Sequence, residues 1–252
     1  METTDVMKRK LLVVIMSIAV GAELLAATND GDNQKKNEII SSDMDAAIVD
    51  ASTSILKFFS LGGDSAEVTG YKSGQSPTAI DIPSRVKIDG KVYNVTSIGI
   101  GAFDGCSSLK SVKIPESVTS IENVAFDGCS SLKSIKIPES VTSIENGAFK
   151  NCSSLKSIKI PEGVTSIGGW AFYGCSSLTD ITIPEGVTSI GGWAFSYCSS
   201  LTDIKIPKGV TSIGDGTFYG CKNLDVVIDN KEENIWAGKS AFDGCKSVKY
   251  LK

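Results

Sequence analysis

Seven cysteines, at positions 106, 129, 152, 175, 198, 221 and 245, are the residues of this sequence best suited to chemistry, as nucleophiles, metal ligands or disulfide partners. They have no histidine to work with, because the sequence contains none. That removes Ser-His-Asp and Cys-His nucleophilic sites, histidine general bases and His-containing metal sites together. The spacing removes more. The cysteine intervals are 23 residues five times and 24 once, so each thiol falls at the same point of a repeating unit. Stacked units hold neighbouring thiols about one strand spacing apart, roughly 4.8 Å. That is wider than the ~3.8 Å between Cβ atoms that a disulfide prefers. A straight ladder also cannot converge on a tetrahedral zinc ion. The expected state is a column of free thiols acting as small buried hydrophobes.

Carboxylates recur in the same manner. Glu116, Glu139, Glu162 and Glu185 form an evenly spaced column, whereas a glycosidase needs two carboxylates converging on one bond. The sequence carries no P-loop, G-x-S-x-G, C-x-x-C or calcium-loop pattern. The expectation is a chain that is not an enzyme and uses no cofactor or metal. Two sets of outward residues remain as candidates for binding a partner. Lys113, Lys136, Lys159 and Lys205 share one column, interrupted by Thr182, while Ser111, Ser134 and Ser157 give way to Asp180 and Asp203 alongside. Like charges about 5 Å apart repel, so this ladder calls for counterions or an anionic partner; a solvated face that blocks sheet aggregation has the same composition. The second set is aromatic. Trp170, Tyr173, Trp193, Tyr197 and Tyr219 appear where other copies have Gly, Val, Asp or Lys. Exposed Trp and Tyr are typical binding anchors, and they serve equally to cover neighbouring turns.

What must position these residues is the repeat itself. "CSSLKSVKIPESVTSI" (106–121) returns with small changes from Cys129, Cys152, Cys175 and Cys198, and phenylalanine keeps the same beat from Phe103 to Phe242. A period of about 20–29 residues enclosing L-x-x-L-x-L is the signature of a leucine-rich-repeat solenoid. In one copy, Leu109, Val112 and Ile114 point inward along a short strand that Pro115 ends. Val118 and Ile121 line a second short extended piece, and Ala125, Phe126 and Cys129 pack inward through a tight helical or 3₁₀ turn. One rung alone buries little; stacked rungs share a continuous core.

The stretch "IPEGVTSIGGWAFYGCSSLTDITIP" (160–184) resembles the BspA-like, or Treponema-pallidum-type, leucine-rich repeat, whose pattern is I-P-x-x-V-T-x-I-G-x-x-A-F-x-x-C-x-x-L. The resemblance extends over roughly residues 80–251. It implies a right-handed superhelix of 23-residue rungs, mostly short parallel strands with short helical or 3₁₀ turns. It also implies a surface or secreted protein of host-associated bacteria that acts as an adhesin toward matrix or plasma proteins or other cells. The family carries no catalytic residues to transfer.

The flanks have their own character. Lys8, Arg9 and Lys10 precede the apolar run 11–22, so residues 1–27 read as a Sec-type signal peptide and the mature chain as secreted or cell-surface, with no membrane span. Residues 28–52 read as a polar linker with a weak helix over 38–52. Residues 53–97 read as an N-terminal β cap, with hairpins turning at Gly62-Gly63-Asp64 and Asp89-Gly90. Residues 98–252 are the solenoid. The net charge of −4 argues against nucleic acid. The expected partner is an extracellular protein or glycan, met through the repeat surface; a carbohydrate-binding module built on the Trp/Tyr cluster and a structural surface coat are the alternatives.

Overall fold

A computed structural model describes residues 48–251. The expected signal peptide, and residues 28–47 of the expected linker and weak helix, lie outside the described residues. Where the helix expectation meets the structure, over residues 48–52, the chain is extended and then turns: β1 (Val49–Asp50) pairs in parallel with β5 (Arg85–Ile88). Two hairpins follow. β2 (Leu56–Gly62) and β3 (Ser65–Tyr71) are antiparallel, as are β5 and β6 (Lys91–Ile98), with Asp89 and Gly90 both left-handed between the latter pair. β3 pairs with β6 in parallel, and β6 pairs with β8 (Ser120–Ile121), so the hairpins lie on the first rung of the solenoid.

From there the rungs repeat. One side of each rung carries a short parallel strand: β4 (Ala79–Asp81) pairs with β7 (Ser111–Lys113), Ser134–Lys136 with Ser157–Lys159 and that with Asp180–Thr182, and Asp203–Ile206 with Asp225–Ile228 and that with Ser247–Tyr250. Alternation decides which side is wet: in every three-residue strand of this set the middle residue is buried and its neighbours are exposed. The Ser-Ile pairs at 120, 166, 189 and 212 make a second ladder. Between the ladders runs one core, in which Leu109, Val112, Ile114, Val118, Ile121, Ala125, Phe126 and Cys129 are buried as the repeat pattern requires. Phenylalanine rings stack along it from Phe103 to Phe242, with centroids 5.2–5.9 Å apart.

The third corner of each rung corrects an expectation. It is neither a helix nor a 3₁₀ segment; among the described residues the one 3₁₀ helix is Glu232–Asn234, in the loop of the last rung. Backbone donors explain why. In the first rung the amides of Gly101, Phe103 and Gly105 donate to Asn123, Ala125 and Asp127 of the next rung, while those of Ala102, Asp104 and Cys106 close turns within the rung. Every second donor is therefore taken by a neighbour, and no continuous helix can form. This alternation demands left-handed backbone at two positions per rung. One column is Gly101, Val124, Gly147, Trp170, Trp193, Gly216 and Ser240; the other is Gly105, Gly128, Asn151, Gly174, Tyr197, Gly220 and Gly244.

Candidate functional site

The thiol column is built as expected, and its middle is inert. All seven cysteines are free. Each thiol from Cys129 to Cys221 donates to the carbonyl of the preceding rung's phenylalanine at 3.1–3.2 Å. Burial pushes the thiols of Cys152, Cys175 and Cys198 well above their ordinary range, and that of Cys221 up to about 12. Where the two thiols meet at the start of the column, Cys106 holds Cys129 raised and is itself lowered to about 7. Thiolates are the reactive form, so the middle of the column has no nucleophile to offer. Among the described residues no group of three or more Cys, Asp or Glu could hold a metal ion.

The strand face brings Lys113, Lys136 and Lys159 into one exposed column, with Lys205 further along it beyond Thr182. Their counterions come from the chain itself. Lys136 reaches Glu116 at 2.9 Å, Lys159 reaches Glu139 at 2.7 Å, Lys113 reaches Asp81 at 3.4 Å and Lys205 reaches Asp229 at 2.7 Å. The Glu139 bond raises the Lys159 ammonium and holds the Glu139 carboxyl low. The expected cationic ladder is thus a ladder of pairs, and its charge is largely answered within the molecule. Such exposed pairs contribute little to stability.

The turn face brings the aromatic set together. Trp170 and Trp193 stack in parallel, centroids 5.4 Å apart at 7°. Beside them Tyr173, Tyr197 and Tyr219 meet edge to face, at 5.5 and 5.7 Å. These rings are not core. Trp170, Trp193, Tyr197 and Tyr219 keep 45, 39, 46 and 41% of their surface exposed. They enclose an open groove of about 690 Å³, completed by Lys150, Asp215, Gly216, Lys239 and Ser240. Two further cavities flank it, one of about 310 Å³ beside Trp170 and one of about 820 Å³ beside Tyr197 and Tyr219.

Their backbone sets these aromatics apart. Trp170, Trp193 and Tyr197 have φ of 57, 54 and 60°, in columns otherwise filled mainly by glycine. A left-handed conformation costs an L-residue roughly 1–2 kcal/mol, and bulky residues there mark a site under another constraint. Trp193 leans across the next rung, so that a Cβ on Gly216 would lie 2.6 Å from its indole nitrogen; Tyr197 crosses Gly220 in the same way. Gly216 and Gly220 thus leave the room that the Trp193 and Tyr197 rings occupy. The five aromatics stand out in the sequence, but Lys150, Asp215, Gly216, Lys239 and Ser240 do not. Their signal was present: Lys150 shares a column with Tyr173, Gly216 and Ser240 continue the column of Trp193, and Asp215 and Lys239 each precede one of these.

Comparison with known proteins agrees with this architecture. A model of the BspA type leucine rich repeat region matches six copies, over residues 84–199 and 119–249. The chain belongs to the BspA-type leucine-rich repeat family. A leucine-rich repeat protein of Treponema pallidum is 35% identical, covering 75% of this chain and 86% of its own, with a TM-score of 0.68. One from Bacteroides ovatus is 34% identical over 78% of this chain, with a TM-score of 0.66, and this chain spans about half (52%) of its length. A leucine rich cell surface protein of Faecalibacterium prausnitzii is 31% identical over 70% of this chain and 54% of its own, with a TM-score of 0.56. No curated protein matches. Among the described residues no helix is long and apolar enough to cross a membrane. The BspA-type fold gives this chain a stacked core with outer faces open to solvent, an architecture consistent with a scaffold for protein interaction.

Proposed function

We propose that this BspA-type chain is an exported, non-catalytic adhesion protein that recognises a partner at or beyond the cell surface through its turn face. Residues 1–27 direct export, and the hairpins of residues 53–97 cap the solenoid. The observation that carries the reading is the placement of Trp170, Trp193 and Tyr197 in left-handed positions around an open groove, since neither the core nor the backbone favours them there. The name of the Faecalibacterium relative supports a surface location. The strand face, with Lys113, Lys136, Lys159 and Lys205 paired to carboxylates, acts in this reading as a solvated wall.

Binding of the purified chain to immobilised matrix and plasma proteins at low and high salt tests this. Recognition by the aromatic face predicts saturable binding that persists at high salt, whereas a lysine-driven contact weakens as charges are screened. Loss of binding on replacing Lys136 and Lys159 by Met, with the aromatic residues intact, would move the site to the strand face. Absence of binding to every partner by folded protein would sink the adhesion reading and leave a structural coat.

A further inference from the structure

If the turn face is the recognition surface, its groove has a chemistry more specific than apolar contact. Three features define the occupant. The first is the lack of free backbone. The amides of Trp170, Trp193, Gly216 and Tyr197 donate to Gly192, Asp215, Lys239 and Tyr219 of the next rung, and those of Tyr173 and Tyr219 close turns on Trp170 and Gly216. A peptide cannot add as a strand to an edge whose donors are spent.

The second is charge. Lys150 is held by Asp127 at 2.9 Å. Asp215 accepts the Lys239 amide, and Lys239 has no ion pair among the described residues, so one free cation stands against one carboxylate. The lining has no excess of either sign to select a sulfated or otherwise charged ligand.

The third is the pairing of ring surface with unspent polar groups. Trp170 and Trp193 supply aromatic surface. The hydroxyls of Tyr173, Tyr197 and Tyr219 have no hydrogen-bond partner among the described residues, and Ser240 and Asp215 stand at the same groove. A pyranose has this complementary form, with an apolar C–H face and a rim of hydroxyls that both donate and accept. The groove volume lies within the usual range for small-molecule sites, roughly 300–1,000 Å³.

We propose that the groove bounded by Trp170, Trp193, Tyr197, Tyr219, Asp215 and Lys239 binds an uncharged glycan. Its sugars pack against the exposed surface of the aromatic rings and its hydroxyls are held by the polar groups beside them. Partner proteins are then recognised through the glycans they carry. This rests on the turn-face reading of the proposed function.

The test uses the full chain and a double variant, Trp170→Gly with Trp193→Gly. Glycine already fills this column in three other rungs and suits the left-handed backbone, so the variant folds with an unfolding midpoint close to that of the parent. Hexasaccharides of β-1,4-linked glucose, N-acetylglucosamine and mannose are titrated calorimetrically and by tryptophan emission, with a heparin hexasaccharide as the charged control. The expected result is saturable binding of a neutral hexasaccharide, weakened at least tenfold in the double variant, with no comparable binding of heparin. The proposal is overturned if the folded parent binds none of the neutral sugars, if heparin alone binds, or if the variant binds as tightly as the parent. A parallel arm uses immobilised matrix proteins before and after enzymatic deglycosylation. Binding that survives deglycosylation yet disappears in the double variant overturns the glycan and keeps the recognition face. Binding in neither arm removes both.

Discussion

The strand face and the turn face of this solenoid are built from the same rungs at the same period, yet they handle their outward residues in opposite ways. On the strand face, Lys136 and Lys159 each find a glutamate of the preceding rung, and the backbone lies in ordinary extended geometry. Repetition there produces its own neutralisation, because any charged column stacked beside an opposite one pairs rung after rung. On the turn face, repetition is broken. Only two of the seven members of one left-handed column are tryptophan and only one member of the other is tyrosine, and each stands against a backbone preference for glycine. The contrast teaches where to look on a repeat protein. Residues that satisfy one another describe the scaffold, and residues held where the backbone resists them describe the site.

The largest expected effect falls on the core that both faces share. The thiols of Cys129, Cys152, Cys175, Cys198 and Cys221 have folded pKa values above the unfolded value of about 8.5, so above that pH the unfolded chain releases protons that the native state retains. The contribution of these five thiols to stability is therefore full below about pH 8.5 and falls as pH rises, by up to about 1.4 kcal/mol per pH unit for each. Denaturant titrations at pH 7, 9 and 10 check this; a flat profile would show that the cysteines are not buried as described.

Next comes Gly216→Ala, which places a Cβ against the Trp193 indole at a left-handed position. A loss of roughly 1–2 kcal/mol is expected from the backbone alone, with a further steric part that disappears when Trp193→Gly is present. A double-mutant cycle measures that coupling. If the two changes are additive, the ring does not lie across Gly216 and the contrast between the faces weakens. The smallest effect belongs to the strand face. Lys159→Met breaks the bond to Glu139 between two exposed side chains, and no measurable change in unfolding midpoint is expected at physiological salt. A marked loss would show that the pairs hold the scaffold together after all.

Much of this was legible in the sequence, because a rung has one inside and the apolar positions must occupy it. Leu109, Val112, Ile114, Phe126 and Cys129 announce the core by recurrence, and the turns at Gly63 and Asp89-Gly90 announce the hairpins. The ion pairs were not legible. Lys136 and Glu116 stand 20 residues apart, not 23, and meet only because the chain turns after Pro115. The nature of the turn was hidden for another reason. Two left-handed columns are obvious where glycine fills them, but Val124, Trp170, Trp193 and Ser240 mask one of them. The last rung also shifts its register. Its strand pairs Asp203 with Asp225, 22 residues on, and the second ladder pairs Ser212 with Trp236, 24 on, with the 3₁₀ loop between taking up the difference.

The alternating amides of the turn have a mechanical consequence. Each rung is tied by hydrogen bonds only to the rung before it and the rung after it. Tension applied at the C-terminal end therefore loads one rung at a time, and the chain peels like a zip. Each rung released frees 23 residues, about 80 Å of extended chain. A solenoid tied this way lengthens in steps, rung by rung, when it is pulled from that end.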